Sequence, residues 1–187
     1  ITTDKTAEWV KDAALDIGAK QKKKCIVVKD GPGFYTTRIL VAMLNQVGIL
    51  IEDGVNIYSI DQAMVEFGFP VGPVTLIDEI GIDTAFHVAD MMAKVWVPKN
   101  IKMSGCFAIL NENVFFGRKT GKGFFDFKAP KADGKRQLNT EALKLLNITK
   151  KSDIPSEEIK NRVALTMVNE ALHCLDEAYY DKTRNEM

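Results

Sequence analysis

The chain has 187 residues, and its 25 lysines and arginines balance its 25 aspartates and glutamates. This length suits one domain with a sizeable core, or one domain with parts of its neighbours. Zero net charge gives no indication of nucleic acid or an anionic membrane as a partner. No apolar run is expected to reach the about 18 residues of a membrane span.

Three cysteines, Cys25, Cys106 and Cys174, form no CxxC pair and cannot all be bridged, which is typical of buried thiols in a reducing compartment. No signal peptide is recognisable. The chain begins at Ile1 without methionine, and we interpret it as a piece of a longer protein.

Residues 1–29 are predicted to form one helix and one strand. Residues 6–20 have the apolar periodicity of an amphipathic helix, and residues 25–28 are a short β-branched run. A lone helix–strand pair cannot form a parallel sheet, so we expect its partner strands to lie upstream of Ile1.

The central feature is a predicted helix of about 20 residues, from Phe34 to a left-handed cap at Gly54, with Pro32 in its first turn. It is apolar on two faces, which predicts that it is packed between other elements. Gly31 and Gly33 at its start resemble a dinucleotide fingerprint. We reject that alternative because Thr36 replaces the third glycine and the next element is predicted as a helix, not a strand.

Further helices are predicted at residues 59–67, 74–79 and 83–96. The rigid loop 68–73 is interpreted as either a tight corner or a pocket wall. Residues 115–125, rich in glycine, lysine and phenylalanine, are predicted to form a structural turn clamped by aromatic rings. Asp78, Glu79 and Asp83 could transfer protons, but we favour Asp83 as a helix cap. His87 and His173 lack ligand spacing and are interpreted as structural.

The last predicted helix, capped by Ser156, matches the central helix at an offset that aligns Arg38 with Arg162. Asn45 then aligns with Asn169, and several further positions correspond: Gln46 with Glu170, Glu52 with Asp176 and Asp53 with Glu177. The alternative is chance similarity of two amphipathic helices. If the repeat is real, the last helix either folds back onto the first copy or joins a second chain. We favour a dimer with both helices in the contact.

Three stretches in order along the chain carry a resemblance: DGPGFYTTRILVAMLNQVGILIEDG, FGFPVGPVTLIDEIGIDTAFHVA and FFGRKTGKGFFDF. They closely resemble the signature and following segments of the 3-hydroxyacyl-CoA dehydrogenases. ITTDKT at the start, Thr37 before the signature arginine Arg38, and the repeat most resemble multifunctional mitochondrial members of that family.

The resemblance implies a mainly α fold, a helical domain like the C-terminal domain of 6-phosphogluconate dehydrogenase, preceded by the last helix and strand of a Rossmann domain. The implied divisions are 1–29 for that piece, 30–128 for the first helical repeat, 129–155 for a linker with a short helix and 156–187 for the start of a second repeat.

The implied reaction is NAD-dependent oxidation of 3-hydroxyacyl-CoA in fatty-acid β-oxidation. NAD and the family's catalytic histidine and glutamate would belong to the Rossmann domain upstream of Ile1, so no residue here is assigned to NAD or to a metal, and this piece alone is expected to be inactive. The implied partners are 3-hydroxyacyl-CoA, a second copy of the chain and a thiolase subunit. The implied location is mitochondrial, with peroxisomal as the alternative.

The resemblance assigns site residues in two places. Thr37 occupies the position of a family asparagine that holds the substrate, although its hydroxyl could instead bond its own backbone. The resemblance also makes Phe34, Pro70, Gly72 and Pro73 candidates for substrate binding. The alternative function is a non-catalytic helical module that acts only in assembly.

Overall fold

In the residues that the structure, a computed structural model, describes (1–149 and 151–177), the chain forms eight α-helices. They are α1 (Glu8–Lys20), α2 (Phe34–Glu52), α3 (Ile57–Phe67), α4 (Pro73–Ile80), α5 (Ile82–Trp96), α6 (Cys106–Glu112), α7 (Thr140–Leu145) and α8 (Ser156–Asp176), with a 3₁₀ turn at Val97–Lys99. The mainly α prediction is confirmed. Helix α6 was not among the predicted helices, while α7 is the short helix expected within residues 129–155.

The strand expected at residues 25–28 is present only as an extended segment. The Thr2 N–H donates to the Val28 carbonyl (2.8 Å), and the Asp30 N–H donates to the Thr2 carbonyl (2.9 Å). Val27 and Val28 are buried, but Cys25 is exposed, contrary to the expectation of a buried thiol. A strand needs a paired neighbour along its length, and among the described residues only those around Thr2 supply one.

Helix α2 begins at Phe34 and ends at Glu52, as predicted, and Gly54 follows it with a φ of +86°. The prediction that Pro32 lies in the first helical turn is wrong. Gly33 is the N-cap and adopts a left-handed conformation, which places Pro32 in the turn before the helix. Helix α3 starts at Ile57, slightly before the predicted residue 59, because the Asn56 side chain accepts hydrogen bonds from the backbone N–H groups of Tyr58 and Ser59.

By length and hydropathy α2 could cross a membrane, with 19 residues and a mean hydropathy of 1.4, so the expectation that no apolar run is long enough is wrong. The helix is nevertheless enclosed by protein. Met43, Val47, Leu50 and Ile51 have no exposed surface and lie in the main core with side chains from α3, α4, α6 and α8. Core helices of globular proteins commonly have this composition.

The turn at residues 115–125 is structural, as predicted, and the buried carboxylate of Asp78 holds it. The carboxylate accepts the Phe124 N–H (3.1 Å) and the Phe125 N–H (2.8 Å). Gly123 permits this approach, because a Cβ there would lie 2.2 Å from the carboxylate. Lys122 covers the ring of Phe115 at 4.1 Å.

The other two acids of this cluster bind the same turn. Glu79 pairs with Arg118 (2.7 Å) and Asp83 with Lys119 (2.8 Å). The expectation that Asp83 caps the following helix is therefore wrong. Gly81 is the N-cap of α5, and the Asp83 carboxylate points to the lysine instead.

Helix α8 packs against α2 within the same chain, and the aligned residues of the repeat exchange equivalent contacts. Arg38 of α2 pairs with Glu170 and with Glu177 just after α8. In return, Arg162 of α8 donates to Asp53 (3.0 Å) and, with the Gln46 amide oxygen facing it, to Gln46 (3.0 Å).

Gln46 aligns with Glu170 and Asp53 with Glu177, so each arginine contacts the same two aligned positions of the other helix. These reciprocal contacts are those expected of two helices related by an internal twofold axis. Chance similarity between two helices would not produce reciprocal contacts, so the geometry supports the repeat. The dimer expected through the central and last helices stays a prediction. The two helices bury their matched faces against each other, which is the fold-back alternative.

The start of α8 differs by one residue from the expectation. Pro155 is the N-cap and Ser156 is the first helical residue, so Ser156 does not cap the helix. Its hydroxyl instead contacts the Glu66 carboxylate at 3.5 Å. Residues 178–187, the end of the predicted second repeat, lie outside the described residues.

We expect Asp78→Asn to change how stability depends on pH. Burial raises the pKa of Asp78 from 3.8 to about 7, against the opposing effect of the two N–H donors. A raised pKa favours the protonated folded state, so the contribution of Asp78 to stability should fall as pH rises from about 4 to about 7 and stay level above that. Urea unfolding of both proteins across this range measures the difference.

The free energies of unfolding of the unmutated protein and of Asp78→Asn are subtracted at each pH. This difference reports on Asp78 alone, because the contributions of the other carboxylates are the same in both proteins. A difference that is constant from pH 4 to pH 8 would show that Asp78 stays ionised.

We expect Arg38→Met to cost about 3–5 kcal/mol of stability, because it leaves the buried Glu170 carboxylate without its cation. Its symmetry mate provides a matched control. Arg162→Met removes a pair whose side chains are 32% and 43% exposed, and should cost about 1 kcal/mol or less. Chemical denaturation measures both.

Adding Glu170→Gln to Arg38→Met should recover part of the loss, since a neutral amide costs less to bury than a carboxylate. Equal losses of stability for Arg38→Met and Arg162→Met, or no recovery in the double variant, would contradict the predicted difference between the buried and the exposed ion pair.

Candidate functional site

The start of α2 places Thr37 where a ligand can reach it. The side chain is half-buried, and its hydroxyl has no hydrogen-bond partner within residues 1–149 and 151–177. The backbone bond considered as an alternative is not formed. Thr166 of α8 shows what that bond would look like, because its hydroxyl donates to the Arg162 carbonyl at 2.7 Å.

Two consecutive residues before Thr37 have left-handed backbone conformations, Gly33 with a φ of +73° and Phe34 with a φ of +50°. A bulky residue in this region costs about 1–3 kcal/mol, and such strain concentrates at functional sites. The Phe34 side chain is 39% exposed. The strained turn thus presents Phe34 and Thr37 on the partly open end of α2.

Arg38 anchors this end of the helix. Its side chain is 1% exposed, and its guanidinium binds Glu177 through two nitrogens, at 2.7 and 3.1 Å. Arg38 also donates a hydrogen bond to Glu170, and the same carboxylate accepts another from the Trp96 indole N–H (3.1 Å). Glu170 lies in α8, Glu177 directly follows it, and Trp96 belongs to α5, so contacts that involve two other helices hold α2 next to Thr37.

The charges in this network stabilise each other. Burial alone would lower the pKa of Arg38, but the hydrogen bonds that it donates to Glu177 and Glu170 outweigh this effect and raise the pKa. The hydrogen bond from Arg38 lowers the pKa of Glu177 to about 2, with Lys99 acting in the same direction. Arg38 and Glu177 therefore both stay charged at neutral pH. Burial also raises the pKa of Cys174, which lies near it, so that thiol is a poor nucleophile.

The loop 68–73 is organised by Asp61 of α3, a residue that was not among the predicted site residues. The Asp61 carboxylate accepts the Val74 N–H (2.7 Å), the Thr75 N–H (3.1 Å) and the Thr75 hydroxyl (2.6 Å), and so caps α4 from another helix. A Cβ on Gly72 would lie 2.2 Å from Asp61, so only glycine fits there. Burial raises the pKa of Asp61, and the hydrogen bonds that its carboxylate accepts offset only part of that rise.

Gly72 and Pro73 are buried, whereas Pro70 is exposed. Beside this loop lies an open cleft of about 690 Å³ whose walls include Tyr58 and Asp61. Gly72 lines it, but Phe34, Thr37, Pro70 and Pro73 do not. Among the described residues, this cleft therefore does not bring Thr37 and the loop together. The signal that could have indicated Asp61 is the Gly-Pro start of α4, which has no capping side chain of its own.

The residues present do not fit NAD. The acid of the apparent fingerprint, Asp53, lies at the far end of α2, about 30 Å along the helix from Gly33, and pairs with Arg162. The element after α2 is the helix α3, as expected, so the chain forms no strand–helix–strand unit there. In the described part of the chain no group of three His, Cys, Asp or Glu side chains could hold a metal ion.

Comparison with known proteins gives consistent results. The model of the family described as "3-hydroxyacyl-CoA dehydrogenase, C-terminal domain" matches residues 33–127. The fatty acid oxidation complex subunit alpha of Vibrio cholerae is 37% identical over 184 residues, 98% of this chain and 25% of that protein. The corresponding protein of Shewanella frigidimarina is 38% identical over 166 residues, 89% of this chain and 23% of that protein.

A solved structure, 3-hydroxybutyryl-CoA dehydrogenase from Escherichia coli, aligns with 95% of this chain and 54% of its own, with a TM-score of 0.73 and 19% identity. This likeness shows the fold. The chain spans about a quarter of the length of the two relatives above.

These relatives correct one expectation. Both come from bacteria, which have neither mitochondria nor peroxisomes, so the expected mitochondrial or peroxisomal location is wrong. The match to the family model covers the strained start of α2, the Asp61-capped loop and the aromatic turn. From the Thr37–Arg38 pair at the open end of α2 and the match that surrounds it, we conclude that the chain belongs to the 3-hydroxyacyl-CoA dehydrogenase C-terminal domain family.

Proposed function

We propose that this chain is the helical C-terminal part of an NAD-dependent 3-hydroxyacyl-CoA dehydrogenase that acts in a multienzyme complex for fatty-acid oxidation. The observation that carries the proposal is the family match over residues 33–127, with the Thr37 hydroxyl left without a partner in the described chain. NAD oxidises the substrate hydroxyl by accepting a hydride, and in this proposal a separate Rossmann domain binds it.

In this reaction Thr37 would bind the substrate and hold its reacting oxygen. A threonine hydroxyl can donate one hydrogen bond and accept others, so it can contact the hydroxyl of the substrate and the carbonyl of the product. Arg38, buried and paired, would keep α2 in place rather than contact substrate. Such rigidity matters because small displacements of a positioning group lower the rate strongly.

The proposed role of the other candidates is to line the substrate side of the domain. Phe34 exposes its ring beside Thr37 and could contact an acyl chain. Pro70, Gly72 and Pro73 stay proposals, supported by Gly72 on the 690 Å³ cleft. The domain divisions and the homo-oligomer and thiolase partners are likewise proposals; the relatives' name, with its subunit alpha of a complex, supports an assembly of several subunits.

We expect Thr37→Val to slow hydride transfer without destabilising the fold. Valine keeps the shape of threonine but cannot hydrogen bond. The loss of a hydrogen bond that strengthens in the transition state should cost about 1–3 kcal/mol, or roughly tenfold to a hundredfold in rate. The test protein is a chimaera in which this chain replaces the matching 184 residues of the Vibrio cholerae relative.

Thr36→Val is the matched control, because Thr36 is the exposed neighbour on the same turn. Thr37→Ser should restore much of the rate, since it keeps the hydroxyl. Normal turnover of Thr37→Val with normal stability would remove Thr37 from the site. An unmutated chimaera that folds but has no activity would favour the alternative, a helical module for assembly.

We expect the chain by itself to show no useful affinity for NAD, because the described residues lack a phosphate-binding strand–helix turn. Isothermal titration calorimetry of the 187-residue chain with NAD measures this directly. The chimaera is the positive control. Micromolar binding at a single site on the isolated chain would contradict the division of roles proposed above.

A further inference from the structure

The open cleft of about 690 Å³ is lined in part by α3 and α4 and in part by residues 131–136. This second part lies beyond residues 33–127, which the family model matches. The volume of the cleft falls within the range of about 300–1,000 Å³ that is typical of small-molecule sites. The charges and rings that line it indicate which kind of ligand it can bind.

Residues 131–136 form a tight β-hairpin that carries three cations. Ala132 and Lys135 exchange backbone hydrogen bonds in both directions (3.0 and 2.9 Å). The two residues between them have φ values of +51° and +76°, as in a type I′ turn. This pairing places Lys131 directly opposite Arg136, and like charges at such positions destabilise a hairpin. An anion bound beside them would offset this repulsion.

Hydrogen bonds and a ring contact hold the hairpin beside α3. The Tyr58 hydroxyl donates to the Arg136 carbonyl (2.5 Å), and the Arg136 guanidinium lies 4.2 Å from the centre of the Phe127 ring. At the base of the hairpin, the Gln137 amide donates to the Pro130 carbonyl (3.0 Å). The backbone that carries the cations is therefore held in a defined position.

The carboxylates that line the cleft already have partners. Asp61 accepts three hydrogen bonds at the start of α4. Glu66 contacts the Lys160 ammonium (3.5 Å), and Glu79 pairs with Arg118 (2.7 Å). The negative charges on this side of the cleft are therefore balanced by groups of the protein itself.

Two lysines of the cleft differ from these acids in having no counter-charge. In the described ranges 1–149 and 151–177, the ammonium groups of Lys131 and Lys135 make no hydrogen bond and no ion pair. Lys135 lies only near the Tyr58 ring, 5.8 Å from its centre. Lysine is a common phosphate-binding residue. Two uncompensated positive charges match a phosphate monoester, which carries about −1.5 to −2 at pH 7.

The cleft also offers an apolar surface for the remainder of such a ligand. Tyr58 and Phe125 both line it, and their ring centres lie 5.8 Å apart. Val65, which is 48% exposed, lines it as well. An inorganic ion would leave this surface in water, whereas an aromatic or aliphatic group would cover it and gain free energy.

We propose that the cleft binds a small phosphate monoester with an aromatic or aliphatic body. Lys131 and Lys135 bind the phosphate group, and the apolar side chains of Tyr58 and Val65 contact the body. This inference does not rest on the proposed reaction, because Thr37 does not line the cleft.

Phenyl phosphate is the probe, and isothermal titration calorimetry of the 187-residue chain measures its binding. We expect one site with a Kd of about 1 mM or tighter. Inorganic phosphate lacks the ring and benzoate lacks the second charge, so each should bind at least about fivefold more weakly. Affinity for phenyl phosphate should fall at least about threefold from pH 7.5 to pH 5, because a monoester gains a proton near pH 6.

Lys131→Gln and Lys135→Gln should each weaken the binding of phenyl phosphate about tenfold, since each removes a hydrogen bond between charged groups. Lys128→Gln is the matched control, because Lys128 is an exposed lysine of the same segment that does not line the cleft. It should change the affinity less than about twofold. All three side chains are exposed, so circular dichroism should show an unchanged fold.

A second measurement needs no variant. Phenyl phosphate should slow the acetylation of Lys131 and Lys135 by limiting acetic anhydride, read by mass spectrometry, and should leave Lys128 unchanged. No binding of phenyl phosphate at about 10 mM, or binding without protection of the two lysines, would overturn the proposal. It would also be wrong if inorganic phosphate bound as tightly as phenyl phosphate, or if Lys128→Gln weakened binding as much as Lys131→Gln. Those results would indicate general attraction of anions to a basic surface.

Discussion

The burial of one arginine determines how this chain is held together. Arg38 is 1% exposed, and a guanidinium removed from water costs several kcal/mol unless carboxylates surround it. Both of its carboxylates come from the far end of the chain, Glu170 within α8 and Glu177 just after it. If α8 separated from α2, the charges of Arg38, Glu170 and Glu177 would lose their partners. Their pairing therefore fixes the register between the two copies of the repeat.

The same constraint prepares the end of α2 for a role in binding. Arg38 follows Thr37 directly, so the network that fixes the arginine also limits the movement of the threonine. The left-handed conformation of Phe34 is tolerated because the surrounding contacts are strong enough to impose it. Elsewhere, Asp61 and Asp78 act in a related way, as buried carboxylates that organise backbone N–H groups of a distant segment.

The two halves of the repeat are related but not equivalent in energy. Arg38 is enclosed, with a second carboxylate and an indole N–H around it, whereas Arg162 binds Asp53 near the surface. The partner of Arg38 is the charged Glu170, whereas the aligned partner of Arg162 is the neutral Gln46. The additional charge is therefore present only where the arginine is buried. This difference is expected when two copies pack on each other but only one of them is covered on its outer side, as α2 is by α5 and α6.

Local patterns in the sequence were enough to predict α2, α5 and the aromatic turn, because helical periodicity and glycine positions act over a few neighbours. The family was predicted from the resemblance of three longer stretches. Distant contacts decided the rest. The sequence could not show that α8 folds back on α2, that Asp61 caps α4 or that Asp78 holds the turn, since the partners lie 132, 13 and 46 residues apart. A carboxylate has the same local signal whether it faces solvent or a buried donor, and only the tertiary fold decides which donor lies within 3 Å.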